Sequence, residues 1–212
     1  NEELLLKVRR YQASMLRDTY RDLAEDGGCK RLLTFILDAI YTPEDINAPT
    51  EAFKKVYGYF TDKPKGKPII ILSKLMELNR LSEELDRSLA QKISEAGLPA
   101  AGQTGGQAGE AVEITDAVYE GALRACNNRK DRERHTELFV ECITSLHQLT
   151  RHPLNAFMFK VIKLLMSYLG RPKAIKVVEE GYNAFVGIED ISQFTNTIKE
   201  KELERLERVY GS

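Results

Sequence analysis

No stretch of this sequence approaches the ~18 consecutive apolar residues that a bilayer-spanning helix requires, so no membrane helix is expected. Cysteine is scarce: Cys29, Cys126 and Cys142 are odd in number and widely spaced. They form no CxxC pair, which excludes a zinc knuckle and a thioredoxin-like redox motif. Free, partly buried thiols in a reducing compartment are the expectation. An excess of one charge is also lacking, with 31 basic against 32 acidic residues and a net charge of −1. Phosphate binding needs a local basic excess, so nucleic acid is not an expected partner. The opening NEELLLKVRR has charges on both sides of a three-leucine run and lacks the apolar core and cleavage site of a signal peptide. These absences predict a soluble, cytoplasmic chain with neither membrane nor nucleic acid among its partners.

Signatures of catalysis are missing too. His135, His147 and His152 lack the i+3 or i+4 partners that helical metal sites use, and neither HExxH nor ExxH occurs. The glycines of GQTGGQAGE precede no Lys-Ser/Thr and follow no strand, so they make no phosphate loop. There is no GxSxG, and Cys142 reads as core. No metal and no cofactor are predicted.

What is present is helical periodicity. In the 212 residues, 42% are hydrophobic and 30% charged, which suits a globular protein with no need of a covalent staple. ELLLKVRRYQASMLRDTYRDLAED places Leu5, Val8, Tyr11, Met15 and Leu23 on one stripe, with Gly27-Gly28 expected to end the helix. CKRLLTFILDAIY is apolar almost all round and stops before TPED, a good helix start. PTEAFKKVYGYF reads as a short helix, and after the breaker KPKGKP the stretch from Ile69 reads as one long helix. AGLPAAGQTGGQAGEAVE, residues 96–113, is the clearest linker. Five more helical segments follow: ITDAVYEGALRAC, DRERHTELFVECITSLHQLTRH, PLNAFMFKVIKLLMSYLG, RPKAIKVVEEGYNAFVG and EDISQFTNTIKEKELERLERVY. Asp190 followed by Gln193 resembles a capping box. The expected fold is all-α, a bundle of about eight or nine helices without a sheet. It forms one unit over 1–212, divisible into halves 1–95 and 114–212 that pack together.

Asp38 is the residue that stands out, a carboxylate inside the apolar run FILDAIY, three residues before Tyr41. An acid in such a helix must be paired, hydrogen-bonded or protonated. It is read here as a structural acid that anchors the turn at Tyr41 through an arginine from elsewhere. Its removal is then expected to cost roughly 1–3 kcal/mol, the range for a stranded buried partner. On the helix beginning DRERH, His135 falls on the apolar stripe with Leu138, Cys142, Leu146 and Leu149, and His147 on the flank. The run NRKDRERH holds Arg129, Lys130, Arg132 and Arg134, which would clamp a phosphate or carboxylate. The interleaved Asp131 and Glu133 favour a solvated helix start instead.

The segments FILDAIYTPEDI, LNRLSEELD, NRKDRERH, LTRHPL and GYNAFVGIEDISQFTNTI resemble, in order, blocks of an uncharacterised bacterial family of helical proteins with an FFLxDLYGPxDF signature. The resemblance implies a fold and a bacterial origin but no activity, and Thr42 stands where that family usually has Gly. It matches at Asp38, Tyr41, Arg132, Arg134 and His152, among others, and these five form the candidate polar cluster. Three functional readings remain. The favoured one is a non-enzymatic interaction or regulatory module, working with a protein partner or as a homodimer. The second is a binder of a small apolar or anionic ligand between helices, suggested by Phe157 to Phe159 and by Gly181 to Phe185. The third is an enzyme using Asp38 and Tyr41 with Arg132 and Arg134.

Overall fold

The computed structural model describes residues 2–25, 27–41, 67–97, 114–151 and 172–211. Among the described residues the fold is all-α, with eight α-helices and no strand. None of these helices is long and apolar enough to cross a membrane. They are α1 (Glu2–Thr19), α2 (Arg21–Glu25), α3 (Gly27–Phe35), α4 (Lys67–Gly97), α5 (Asp116–Cys126), α6 (Arg129–Arg151), α7 (Pro172–Phe185) and α8 (Ser192–Tyr210). A π-helical segment, Ile36–Tyr41, continues α3. The expected helix PTEAFKKVYGYF, the TPED start, the helix PLNAFMFKVIKLLMSYLG and residues 98–113 of the expected linker lie outside the described residues.

Several boundaries differ from the sequence reading. α1 ends at Thr19 and α2 runs from Arg21, ahead of the glycine pair, although Tyr20 N–H still donates to Leu16 O (2.9 Å) and Ala24 N–H to Tyr20 O (3.2 Å) in the helical pattern. Gly27 opens α3 instead of closing α1. Pro68 lies in the first turn of α4, where a missing N–H costs nothing. The N-cap of α8 is Ile191, without a side-chain cap bond, so the expected box of Asp190 with Gln193 does not form; Asp190 Oδ1 instead accepts the N–H and hydroxyl of Ser192. Thr115 caps α5 by accepting the Val118 N–H. Asn127 supplies the left-handed residue (φ 48°) that turns the chain from α5 into α6.

Two apolar clusters form the ends of the bundle. One gathers Leu16, Tyr20, Leu23, Leu32, Leu33, Ile36, Leu37, Ile143, Phe185 and Phe194. The other gathers Leu4, Leu5, Val8, Leu89, Ile93, Tyr119, Leu123 and Val209. A third, small cluster of Leu81, Leu85 and Leu138 joins α4 to α6. Fully burying a side chain such as Leu32 or Leu123 is worth about 1.5–3 kcal/mol, so these clusters supply the driving force. α4 packs on α5 and α6, and α3 on α7, so helices from before residue 97 and after 114 share both end clusters.

α1 runs from the second cluster to the first, and α8 runs back. They lie antiparallel, as the Lys201 Nζ donation to Thr19 O (2.7 Å) shows. The loop between α7 and α8 is held by side chains: His147 bonds to Ile188 O (2.8 Å), Arg31 donates to Val186 O, and Arg151 to Glu189 O. His147 is thus buried and engaged, not on a flank.

Two helical glycines make a matched test. A Cβ on Gly181 would lie 2.9 Å from the Phe35 ring, whereas one on Gly121 meets nothing within 4 Å. Alanine is favoured over glycine by about 1 kcal/mol in a helix, while overpacking costs about 1–3 kcal/mol. Urea unfolding should therefore show Gly121→Ala more stable by about 1 kcal/mol and Gly181→Ala less stable by a similar amount.

Candidate functional site

Between the two end clusters the interior turns polar. On α1, Arg9 lies one turn after Leu5, and Gln12 lies between Val8 and Leu16, so helical geometry carries both into the core stripe. On α8, Glu202 and Arg205 interrupt the stripe from Ile198 to Val209 in the same way. On α4, Asp86 sits one turn before Ala90. The result is a polar layer crossed by α1, α4, α5, α6 and α8.

Its bonds are specific. Arg9 Nε donates to Asp86 Oδ2 at 2.9 Å, and Gln12 Nε2 donates to Asp86 Oδ1 at 3.3 Å and to the Tyr119 hydroxyl at 3.4 Å. Arg205 Nη2 and the Tyr20 hydroxyl both donate to Glu202, and Arg205 Nη1 approaches Met15 Sδ at 3.6 Å. Arg132 Nε donates to Asn128 Oδ1 at 2.9 Å, and Asn128 also accepts the Tyr210 hydroxyl. Ser82 Oγ meets His135 Nε2 at 2.7 Å. The sets are joined electrostatically, since Arg132 acts on both Asp86 and His135, and Arg205 acts on His135.

Burial sets the protonation states. Burial raises the Asp86 carboxyl, against the opposing pull of Arg9, Gln12 and Arg132. Burial, helped by Arg132 and Arg205, pushes His135 down to about 4, so its imidazole stays neutral. Tyr20 and Tyr41 are raised far above the ordinary phenol range, chiefly by burial and next by the nearby Glu202. They remain neutral phenols. Away from the layer, burial lifts the Cys142 thiol to about 11, which keeps it protonated, in keeping with a core role. All three cysteines are free.

Among the described residues, three buried side-chain atoms have no hydrogen-bond partner: Gln12 Oε1, Arg132 Nη2 and Arg205 Nε. All three belong to this layer. The layer also carries three guanidinium groups, Arg9, Arg132 and Arg205, against two carboxylates, Asp86 and Glu202. Among the described residues no group of three or more His, Cys, Asp or Glu side chains could hold a metal ion.

The residues singled out from the sequence divide between this layer and the surface. Tyr41 packs against the first apolar cluster and senses Glu202, Asp86 and Arg205, so it borders the layer. Arg132 lies within it and is buried, not solvated as its charged run suggested. Asp38 is exposed. The π-helical turn carries it outward to an ion pair with Arg17 of α1, and its side chain remains 56% accessible. The arginine partner expected from elsewhere is there, but the dry environment is not. Arg134 is exposed among Glu77, Glu137 and Glu141, and Arg129 pairs with Glu133 and Glu207. His152 lies outside the described residues. Sequence reading missed Arg9, Gln12, Asp86, Glu202 and Arg205. The available signal was their heptad-like placement within apolar stripes.

Asp38 and Asp86 should then behave oppositely. Removing one member of an exposed pair changes stability by less than about 1 kcal/mol. Removing one member of a buried pair costs about 3–5 kcal/mol. Chemical denaturation should show the small effect for Asp38→Ala and the large one for Asp86→Ala, whose side chain is only 15% accessible.

His135 gives a pH dependence. The unfolded chain protonates it near 6.5, the folded chain only near 4. Its contribution is therefore full above pH 6.5 and lost as pH falls from 6.5 toward 4. His135→Gln should reduce the acid-side loss of stability over that window by about 1–3 kcal/mol, read from melting temperatures at stepped pH.

A family model described as Domain of unknown function (DUF8198) matches residues 1–212. No curated protein and no solved structure matches the chain.

Proposed function

The chain belongs to the DUF8198 family, and we propose that it is a non-enzymatic regulatory module that binds a small anionic ligand within its polar layer. One observation carries this reading: the layer buries one more guanidinium than carboxylate and leaves guanidinium N–H groups of Arg132 and Arg205 unpartnered. A buried cation without a full complement of acceptors costs several kcal/mol, and an anion bound between helices removes that cost. Guanidinium suits the task because its charge persists at any physiological pH and its planar donors fit oxyanions. A cytoplasmic, bacterial setting belongs to the same proposal, supported by the free cysteines and by the FILDAIYTPEDI signature.

A second reading, pairing with a protein or a second copy of this chain, is supported by Leu203, which stands exposed on α8 in an open groove with Glu204, Glu207 and Arg208. Light scattering on eluted protein tests it. A dimer that Leu203→Glu converts to monomer supports it, and a wild-type monomer removes the self-pairing part.

The ligand reading is tested by thermal shift. Acetate, glycolate, phosphate and sulfate are titrated at constant ionic strength against neutral glycerol and urea-free controls. A saturable rise of several degrees with at least one anion is expected. A hundredfold excess over Kd gives about 2.7 kcal/mol of stabilisation. No anion-specific rise with any of the four would overturn the proposal.

A further inference from the structure

Arg205 is short of acceptors. Among the described residues its Nη2 donates to Glu202, its Nε has no partner, and its Nη1 faces the thioether of Met15, with Sδ at 3.6 Å. A thioether sulfur is a weak acceptor. One side of a guanidinium inside the bundle is therefore poorly satisfied.

Met15 stands where a change would be felt. It lies on α1 and packs against both apolar end clusters, while its sulfur meets the polar layer between them. The residue is only partly buried. Its unbranched side chain has three rotatable bonds, so the sulfur can adjust without a shift of the backbone. Oxidation of a core methionine ordinarily disrupts packing, because a polar oxygen enters an apolar site. At Met15 the expectation reverses. A sulfoxide oxygen is a far better acceptor than a thioether sulfur, and here it would arise beside a donor that lacks one.

We propose that Met15 is a peroxide-responsive modification site whose sulfoxide oxygen is received by the Arg205 guanidinium. The sulfur lone pair attacks the terminal oxygen of hydrogen peroxide or of an alkyl hydroperoxide. The O–O bond breaks and an S–O bond forms. The proton of the transferred oxygen passes to the departing oxygen, which leaves as water or an alcohol. Sulfur is oxidised by two electrons and the peroxide is reduced by two. Nη1 then donates to the new oxygen in place of the sulfur, and the mark tightens α1 against α8. The site rests on one contact between these two helices and on no bound anion, so its fate is separate from that of the ligand reading.

Treatment of the folded protein with dilute hydrogen peroxide, followed by peptide mass spectrometry, tests the site directly. Met15 should take up one oxygen under native conditions. Oxidation of Met15 only after unfolding in urea would exclude it. Melting temperatures are then compared before and after treatment, with dithiothreitol added to restore the thiols. Met15→Leu, treated identically, subtracts the effect of every other oxidisable residue. Relative to that control the wild type should rise by about 2 °C or more, the shift of one added hydrogen bond in a chain of this size. No rise, or a fall, would overturn the proposal. A second arm uses the double variant Glu202→Gln with Arg205→Leu, which removes both charges of the pair together and strands neither. There, oxidation of Met15 should lower the melting temperature. A rise retained in a double variant that melts cooperatively would exclude Arg205 as the receiver.

Discussion

The contact on which the helix arrangement turns is the pair between Arg9 and Asp86, 2.9 Å apart inside the bundle. Apolar side chains bind without strict direction, and a leucine displaced by one position finds another hole at modest cost. A buried guanidinium displaced from its carboxylate does not. A one-residue slip of α1 against α4 would strand both charges, and each broken buried pair costs about 3–5 kcal/mol. The end clusters therefore supply the stabilisation, and the polar layer between them selects the register. Tyr20, at the turn between α1 and α2, adds a polar tie to α8 by donating to Glu202, which Arg205 of the same helix also engages.

The sequence made the architecture legible because its signals were redundant. Each long helix carries a stripe spanning several turns, so its existence follows from periodicity alone. Burial at Leu5, Val8 and Leu23, and at Cys142 on α6, follows the stripe directly. What was not legible depends on tertiary partners. The break at Tyr20 comes in a segment whose stripe is continuous, so periodicity had no way to register it. A single apolar face on α6 puts His147 on the flank. The helix buries two, one through Leu138 and Cys142 and one through Arg132, Thr136, Ile143 and His147.

The polar layer shows the same limit from the other side. A charged residue in an apolar stripe attracts notice only when its neighbours are all apolar, as around Asp38. Arg9 and Asp86 stand beside other charged residues, so they looked like members of a solvated face. Asp38 departs from the expected burial because of the backbone. From Ile36 the helix adopts π geometry, with hydrogen bonds reaching one residue further, and the faces predicted for an α-helix rotate. The rotation sends Asp38 to Arg17 at the surface and leaves Tyr41 beside Glu202 and Asp86. The pair was separated by three residues in sequence and by opposite sides of the segment in space.

The titration behaviour of the layer bears on whether it catalyses or binds. General acid–base chemistry works best with a group whose pKa lies near the working pH. Here burial drives the groups away from neutrality in both directions. His135 falls to about 4 and remains a neutral imidazole, while Tyr20 and Tyr41 rise far above their usual range and remain phenols. Asp86 alone moves toward neutrality, and Arg9 opposes that movement directly. His135, Tyr20 and Tyr41 are thereby held as neutral groups within the layer. Groups held so far from neutrality are poorly matched to proton transfer at neutral pH.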